Sequence, residues 1–341
     1  MSDLVLVTGA SGYLAGHVIE ELQGQGYRVR GTVRSLARAA ELTHLSGVEF
    51  VQADLDSDAG WAEAVAECRF VLHTASPFPV AEPESDDELV RPAVDGALRV
   101  LRAAAAAGVE RVVLTSSVAA VMIGNQGRLN TEADWSDINA CNAYEKSKTL
   151  AERAAWDFAA AHPELELAVI NPGMILGPIQ RAAFGTSVDA VRILLAREMP
   201  GIPDFGFATV DVRDVAIAHR LAMELPQAVG NRYICAGEQV SLPEMTRVLA
   251  ASYRVPTLVL PDWLVRLSAR FNPAARTAAR YLGRTERVSA ARATADLGWT
   301  MRPVRQSLLD TAASLIHYGI VLDPGAPRGT AARSAPRPAI A

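Results

Sequence analysis

Cysteine is scarce in this 341-residue chain: Cys68, Cys141 and Cys235 lie far apart and form no Cys-x-x-Cys pair. That argues against a disulfide framework and a thiolate metal site, and for a reducing compartment. The six histidines add no metal-ligand spacing to the cysteines, so no metal is expected. An excess of positive charge is missing too. Against 33 Lys and Arg stand 38 Asp and Glu, a formal net charge of −5, with the two signs interspersed. Without a basic stripe, neither nucleic acid nor an anionic membrane is an expected partner. No apolar run approaches the roughly 20 residues of a membrane span. Met1-Ser2-Asp3 leads into Leu4 with no basic region of the signal-peptide kind, so a cytoplasmic protein is expected. What is plentiful is apolar residues, 50% of the chain, enough for a large core in one large domain or two coupled ones. A small-molecule enzyme fits this balance, which leaves both monomer and homodimer open.

Short apolar runs alternate with alanine-rich helical segments through the first half. Strands are predicted at Leu4 to Val7, Arg28 to Val33, Val48 to Gln52, Phe70 to Thr74, Arg111 to Thr115 and Leu167 to Ile170. Such alternation predicts a parallel sheet with helices on both faces. Between the first strand and the first helix runs Thr8-Gly9-Ala10-Ser11-Gly12-Tyr13-Leu14-Ala15-Gly16. Gly9 permits the sharp bend, Gly12 lets backbone approach a pyrophosphate, and Gly16 lets the helix pack closely on the sheet. The N–H groups at the helix start, around Ser11, Tyr13 and Leu14, then attract phosphate. A glycine-rich turn without a ligand is the plainer alternative.

The second strand ends in Gly31-Thr32-Val33-Arg34, where an acidic residue would bind the ribose hydroxyls of NAD. Arg34 instead offers a bidentate contact to a 2′-phosphate, which favours NADP(H); a solvated surface arginine is the alternative. Asp54 and Leu55, after the third strand, are placed to reach the adenine.

Asn142 and Glu145 form a capping-box pattern, so a helix is predicted to begin there. Tyr144 and Lys148 then share one helical face. A free phenol has a pKa of about 10; an adjacent ammonium stabilises the phenolate and makes Tyr144 usable as an acid. An ordinary surface helix would be the favoured reading without the upstream turn. Ser117, in Leu114-Thr115-Ser116-Ser117-Val118, follows the fifth strand at the carboxyl edge of the sheet, where it can bond a substrate oxygen or simply cap a turn.

These segments, with His73-Thr74-Ala75-Ser76-Pro77-Phe78, Trp135-Ser136-Asp137 and Asn171-Pro172-Gly173, resemble an extended short-chain dehydrogenase/reductase. Within that superfamily the chain is similar to the dihydroflavonol 4-reductase-like group, which includes plant flavonoid reductases, cinnamoyl-CoA reductases and microbial NADPH-dependent aldehyde and ketone reductases. The resemblance implies a catalytic triad of Ser117, Tyr144 and Lys148. It places Arg34 on the 2′-phosphate and Asp54 and Leu55 beside the adenine. Thr74, Ala75 and Ser76 would lie along the cofactor, Pro172 beside the nicotinamide, and Lys148 on the ribose hydroxyls. A carbonyl would receive hydride from NADPH and a proton from Tyr144.

The expected fold is α/β, a Rossmann-type doubly wound parallel sheet with a smaller, interleaved, mainly helical substrate lobe. Residues 1–172 and 207–235 are assigned to the NADP-binding domain, 173–206 and 236–322 to the lobe, and 323–341 to a flexible tail. Phe78, Val118, Val121, Met122, Met174, Ile175 and Phe184 are candidates for an apolar pocket, with core packing as the alternative for each. A pocket of that kind favours a hydrophobic or aromatic carbonyl compound. The alternatives are a nucleotide-sugar epimerase or dehydratase, a hydroxysteroid dehydrogenase, and a non-catalytic NADP(H)-binding sensor.

Overall fold

The structure, a computed structural model, describes residues 3–76, 85–125 and 127–325. Its elements in chain order are β1 (Leu4–Val7), α1 (Tyr13–Gly24), β2 (Arg28–Val33), α2 (Leu36–Ala39), β3 (Glu49–Gln52), α3 (Trp61–Val65), β4 (Phe70–His73), α4 (Asp87–Ala106), β5 (Arg111–Thr115), α5 (Ala143–Ala161) and β6 (Glu166–Pro172). Then follow β7 (Met174–Leu176), α6 (Thr186–Ala196), β8 (Ile202–Pro203), β9 (Gly206–Asp211), α7 (Val212–Glu224) and β10 (Arg232–Cys235). The chain continues with β11 (Gln239–Ser241), α8 (Leu242–Ala250), β12 (Val259–Leu260), α9 (Asp262–Ser268), α10 (Pro273–Tyr281), α11 (Ala291–Leu297) and α12 (Val304–His317).

Two compact units emerge: Met1–Gly173, Arg213–Ala236 and Val288–Thr300 make the first, and Met174–Val212, Gly237–Arg287 and Met301–Ala341 the second. Two segments group differently from the sequence expectation. Residues 207–212 join the second unit because β9 pairs with β7 and β11, and residues 288–300 join the first, where α11 packs beside β10.

Among the described residues the first unit holds a seven-stranded parallel sheet in the order β10-β6-β5-β4-β1-β2-β3. β1, β4 and β10 are buried along their whole length, as strands covered on both faces must be. Leu4 and Leu6 turn to one face, where they join Trp61, Val65, Val100, Leu101 and Ala155 from α3, α4 and α5. Each large apolar side chain buried there contributes roughly 1.5–3 kcal/mol. On the other face α1 is tied to α7 by the ion pair of Glu21 Oε1 with Arg220 Nε at 2.7 Å.

Two buried arginines close helix ends. Arg30 Nη1 donates to the carbonyls of Glu63, Ala64 and Ala66 at 3.1, 3.1 and 2.6 Å. Arg111 Nη1 does the same for Ala222, Met223 and Leu225 at 3.1, 2.7 and 2.9 Å. Carbonyls at the ends of α3 and α7, where intrahelical partners run out, thereby gain side-chain donors.

The strand order reverses between β1 and β4, so the connections that follow them pass to opposite faces of the sheet and leave a crevice at their carboxyl ends, the position at which doubly wound sheets take their ligands.

The second unit adds to its helices a three-stranded sheet, β11-β9-β7, and a parallel pair, β12-β8. Gly206 permits the close pairing of β9 with β11, since a Cβ there would lie 2.4 Å from Val240 O. After β7 the chain is anchored to α12, with Gly177 N donating to Thr311 Oγ1 at 2.8 Å and Ile179 N to Ser314 Oγ at 3.0 Å.

Candidate active site

The glycine-rich turn leaves β1 through Gly9, whose φ of +67° lies in the left-handed region. A Cβ at Gly9 would stand 2.9 Å from the Ala75 Cβ, so both the bend and the close approach require glycine. Thr32 holds the turn from β2, accepting from Gly9 N through Oγ1 and from Ala10 N through its carbonyl, each at 2.9 Å. A Cβ on Gly31 would lie 2.7 Å from the Ala10 Cβ. Thr8 links the turn to the end of β4. Its Oγ1 accepts from Ala75 N at 3.0 Å and its carbonyl accepts from Thr74 Oγ1 at 2.6 Å. The same hydroxyl lies within hydrogen-bond distance of His73 Nδ1, at 2.8 Å. Burial, aided by the charge of Lys148, pushes His73 down to about 3, so this histidine is neutral.

α1 begins after Gly12 with no side-chain cap on its first N–H groups. Ser11 and Gly12 are exposed, and Tyr13 and Leu14 are half-buried. Backbone donors and the positive end of the helix dipole thus face a cradle that a Cβ would fill, which suits a pyrophosphate. Arg34 is exposed at the end of β2, and Asp54 and Leu55 are half-buried after β3. Asp54 Oδ1 accepts from Asp56 N at 3.2 Å. The residues present fit a dinucleotide.

α5 starts at the capping box expected from sequence: Glu145 N donates to Asn142 Oδ1 at 2.9 Å, and Asn142 N to Glu145 Oε2 at 2.8 Å. Tyr144 in its first turn and Lys148 one turn later are both half-buried. Lys148 Nζ lies 6.0 Å from the centre of the Tyr144 ring and donates to Ser76 Oγ at 2.9 Å. Burial lowers Lys148 to about 8, against the opposing charge of Glu152, so it is predominantly an ammonium at neutral pH. Ser117 caps the short turn Val118–Ala120, its Oγ accepting from Ala119 N at 3.1 Å. That leaves the hydroxyl hydrogen to donate elsewhere. The turn packs on α5, where Thr149 Oγ1 reaches Ala119 O at 3.5 Å.

Pro172 ends β6 and is buried beside Cys235 of β10. Val118, Val121 and Met122 are also buried, whereas Met174, Ile175 and Phe184 of the second unit are half-buried. Phe78 lies outside the described residues, as does the tail from 326 onward.

Sequence reasoning missed a buried polar cluster behind this surface. Glu152 and Arg232 form an ion pair at 2.7 Å, and Ser116 and Asn171 both bond Glu152. Farther along, His219 Nδ1 donates to Val215 O at 2.8 Å while Thr115 Oγ1 donates to its Nε2 at 2.7 Å. Glu152 had one legible signal: it stands one turn beyond Lys148 on the same face of α5.

A sheet that reverses beside a glycine cradle, with a tyrosine and an ammonium at the same edge, is the architecture of the dinucleotide-dependent oxidoreductases of short-chain type. Residues 5–236 match the model of the NAD dependent epimerase/dehydratase family, and the chain belongs to that family, the extended short-chain dehydrogenase/reductases. It is 35% identical over 329 residues to cinnamoyl-CoA reductase 2 of Arabidopsis thaliana, covering 93% of each chain. Among solved structures it resembles yeast methylglyoxal/isovaleraldehyde reductase Gre2 in complex with NADPH, with a TM-score of 0.78, 27% identity and coverage of 93% of this chain and 99% of that one. Vestitone reductase from alfalfa (Medicago sativa) matches with a TM-score of 0.72, 26% identity and coverage of 93% and 99%. No helix among the described residues is long and apolar enough to cross a membrane.

Proposed function

We propose that this protein is an NADPH-dependent carbonyl reductase that converts aldehydes or ketones to alcohols, with hydrophobic or aromatic carbonyl compounds as its substrates. The observation that carries the reading is Lys148, an ammonium one helical turn from Tyr144 beside the crevice of the sheet. Bound NADPH supplies the hydride that reaches the carbonyl carbon. Tyr144 gives its phenolic proton to the carbonyl oxygen, and the positive charge of Lys148 stabilises the phenolate left behind. The Ser117 hydroxyl donates to the same oxygen and fixes its direction. Gly9, Gly12 and the first N–H groups of α1 hold the pyrophosphate, and Arg34 holds the 2′-phosphate. Thr74 and Ala75, pinned to the turn through Thr8, would lie along the dinucleotide together with Ser76. The substrate class rests on the apolar candidates Val118, Val121 and Met122 that follow Ser117. The epimerase and dehydratase reading draws on the family description, but the relatives matched over most of the chain are named as reductases.

The test is to follow NADPH absorbance with the purified protein against aromatic aldehydes, aryl ketones, β-keto esters and dihydroflavonols. Tyr144→Phe should abolish turnover, by about three orders of magnitude or more, while NADPH still binds. Undiminished turnover in that variant removes the proposed acid.

A further inference from the structure

Glu152 is fully buried, and the mechanism above gives it no part. A carboxylate out of water is costly unless its oxygens are paired, and here both are. Oε2 accepts from Ser116 Oγ at 2.5 Å and from Asn171 Nδ2 at 2.7 Å. Oε1 lies 2.7 Å from Arg232 Nε and accepts from Trp156 Nε1 at 3.3 Å.

The partners come from the segments that carry the site. Ser116 immediately precedes Ser117 after β5, and Asn171 precedes Pro172 in β6 and also donates to Ser117 O at 3.1 Å. Arg232 opens β10 and lies over the Trp135 ring, 3.9 Å from its centre. One carboxylate on α5 therefore ties together the chain around Ser117, the chain around Pro172, and the helix that bears Tyr144 and Lys148.

Glu152 also faces Lys148. The two line one cavity with His73, Ser76, Thr115 and Ser116, and Glu152 is the carboxylate in that lining. Among the described residues, the other groups lining that cavity do not supply a negative charge, nor does Tyr144. Tyr144 on α5 is a phenol, His73 on β4 is neutral, Ser76, Thr115 and Ser116 are hydroxyls, and Leu55 with Ala93 and Ala97 of α4 is apolar. Arg232 pairs with Glu152 and is not part of that lining.

We propose that Glu152 is a positioning residue for the reduction: its buried carboxylate sets the Ser117 turn against α5 through Ser116 and Asn171, and supplies the counter-charge that keeps Lys148 an ammonium. The proposal rests on the carbonyl-reductase reading only for the use made of that ammonium. The direction of the Lys148 shift agrees with it, since burial lowers the amine to about 8 and Glu152 is what opposes the fall.

The experiment uses the full chain labelled with 13C at the lysine ε-carbons, titrated by NMR without cofactor or substrate, with Lys148→Arg to assign the signal. In Glu152→Gln the Lys148 midpoint should fall by about one pH unit, and the alkaline limb of NADPH oxidation should move acidward by the same amount. Because that change leaves the Arg232 charge buried alone, Glu152→Gln/Arg232→Met is made beside it and should show the same displacement. Ser116→Ala keeps the charge and removes one hydrogen bond, so it should lower kcat while leaving the Lys148 midpoint in place. An unmoved midpoint in either folded Glu152 variant, or full kcat in Ser116→Ala, overturns the corresponding half of the proposal. Since the lysine titration needs no substrate, absence of turnover on every carbonyl would count against the reductase reading alone.

Discussion

Arg34, exposed, directly follows β2, where an acidic side chain would suit the ribose hydroxyls of NAD and repel a 2′-phosphate. Hydrogen bonds to charged groups contribute about 1.5–3 kcal/mol, so Arg34→Ala is expected to weaken NADPH by roughly ten- to a hundredfold. NADH affinity should stay near its original value, and equal losses for both cofactors in fluorescence titrations would show that Arg34 does not read the phosphate. Much at this scale was legible, because Gly9, Arg34, Tyr144 and Lys148 belong to patterns local in the chain. Glu152 was not legible as a hub: its partners Ser116, Asn171 and Arg232 stand on β5, β6 and β10 segments that meet only in the folded sheet. Of the two readings of Ser117, a hydroxyl for a substrate oxygen and a turn cap, the cap is present in its bond from Ala119 N.

α5 is the element on which the proposed chemistry depends, because its first turn carries Tyr144 and its second Lys148. Loss of a capping side chain costs about 1 kcal/mol. Asn142→Ala should therefore shift the urea midpoint by that amount with an unchanged slope, and should lower kcat as the first turn frays. An unaltered midpoint would mean that packing alone secures the helix start. The sequence pattern anticipated β1, β2 and β5 residue for residue, since each is a short apolar or alternating run with clear bounds. β7, β8 and β12 escaped it: they are two or three residues long, and so short a strand has no periodicity to read.

Over the whole molecule, the buried histidines make the fold sensitive to acid. Burial holds His219 near 4, against an ordinary value of 6.5, so the unfolded chain takes up the proton first. Its contribution is complete above pH 6.5 and is lost as pH falls towards 4, a difference of roughly 3 kcal/mol across that window. His219→Gln should flatten the fall of Tm over this window, and an equally steep fall would place acid sensitivity elsewhere. Composition, alternation and two local motifs were enough to establish a doubly wound sheet, a glycine-rich turn after its first strand, and a tyrosine and a lysine one turn apart on a capped helix. All of these arise from residues a few positions apart, whose spacing the backbone geometry of strand and helix dictates. The grouping of residues 207–212 and 288–300, the arginines that close α3 and α7, and the carboxylate beneath Lys148 were decided by tertiary structure alone. These depend on which distant segments are brought together, and burial rather than local propensity determines which charged groups must find partners.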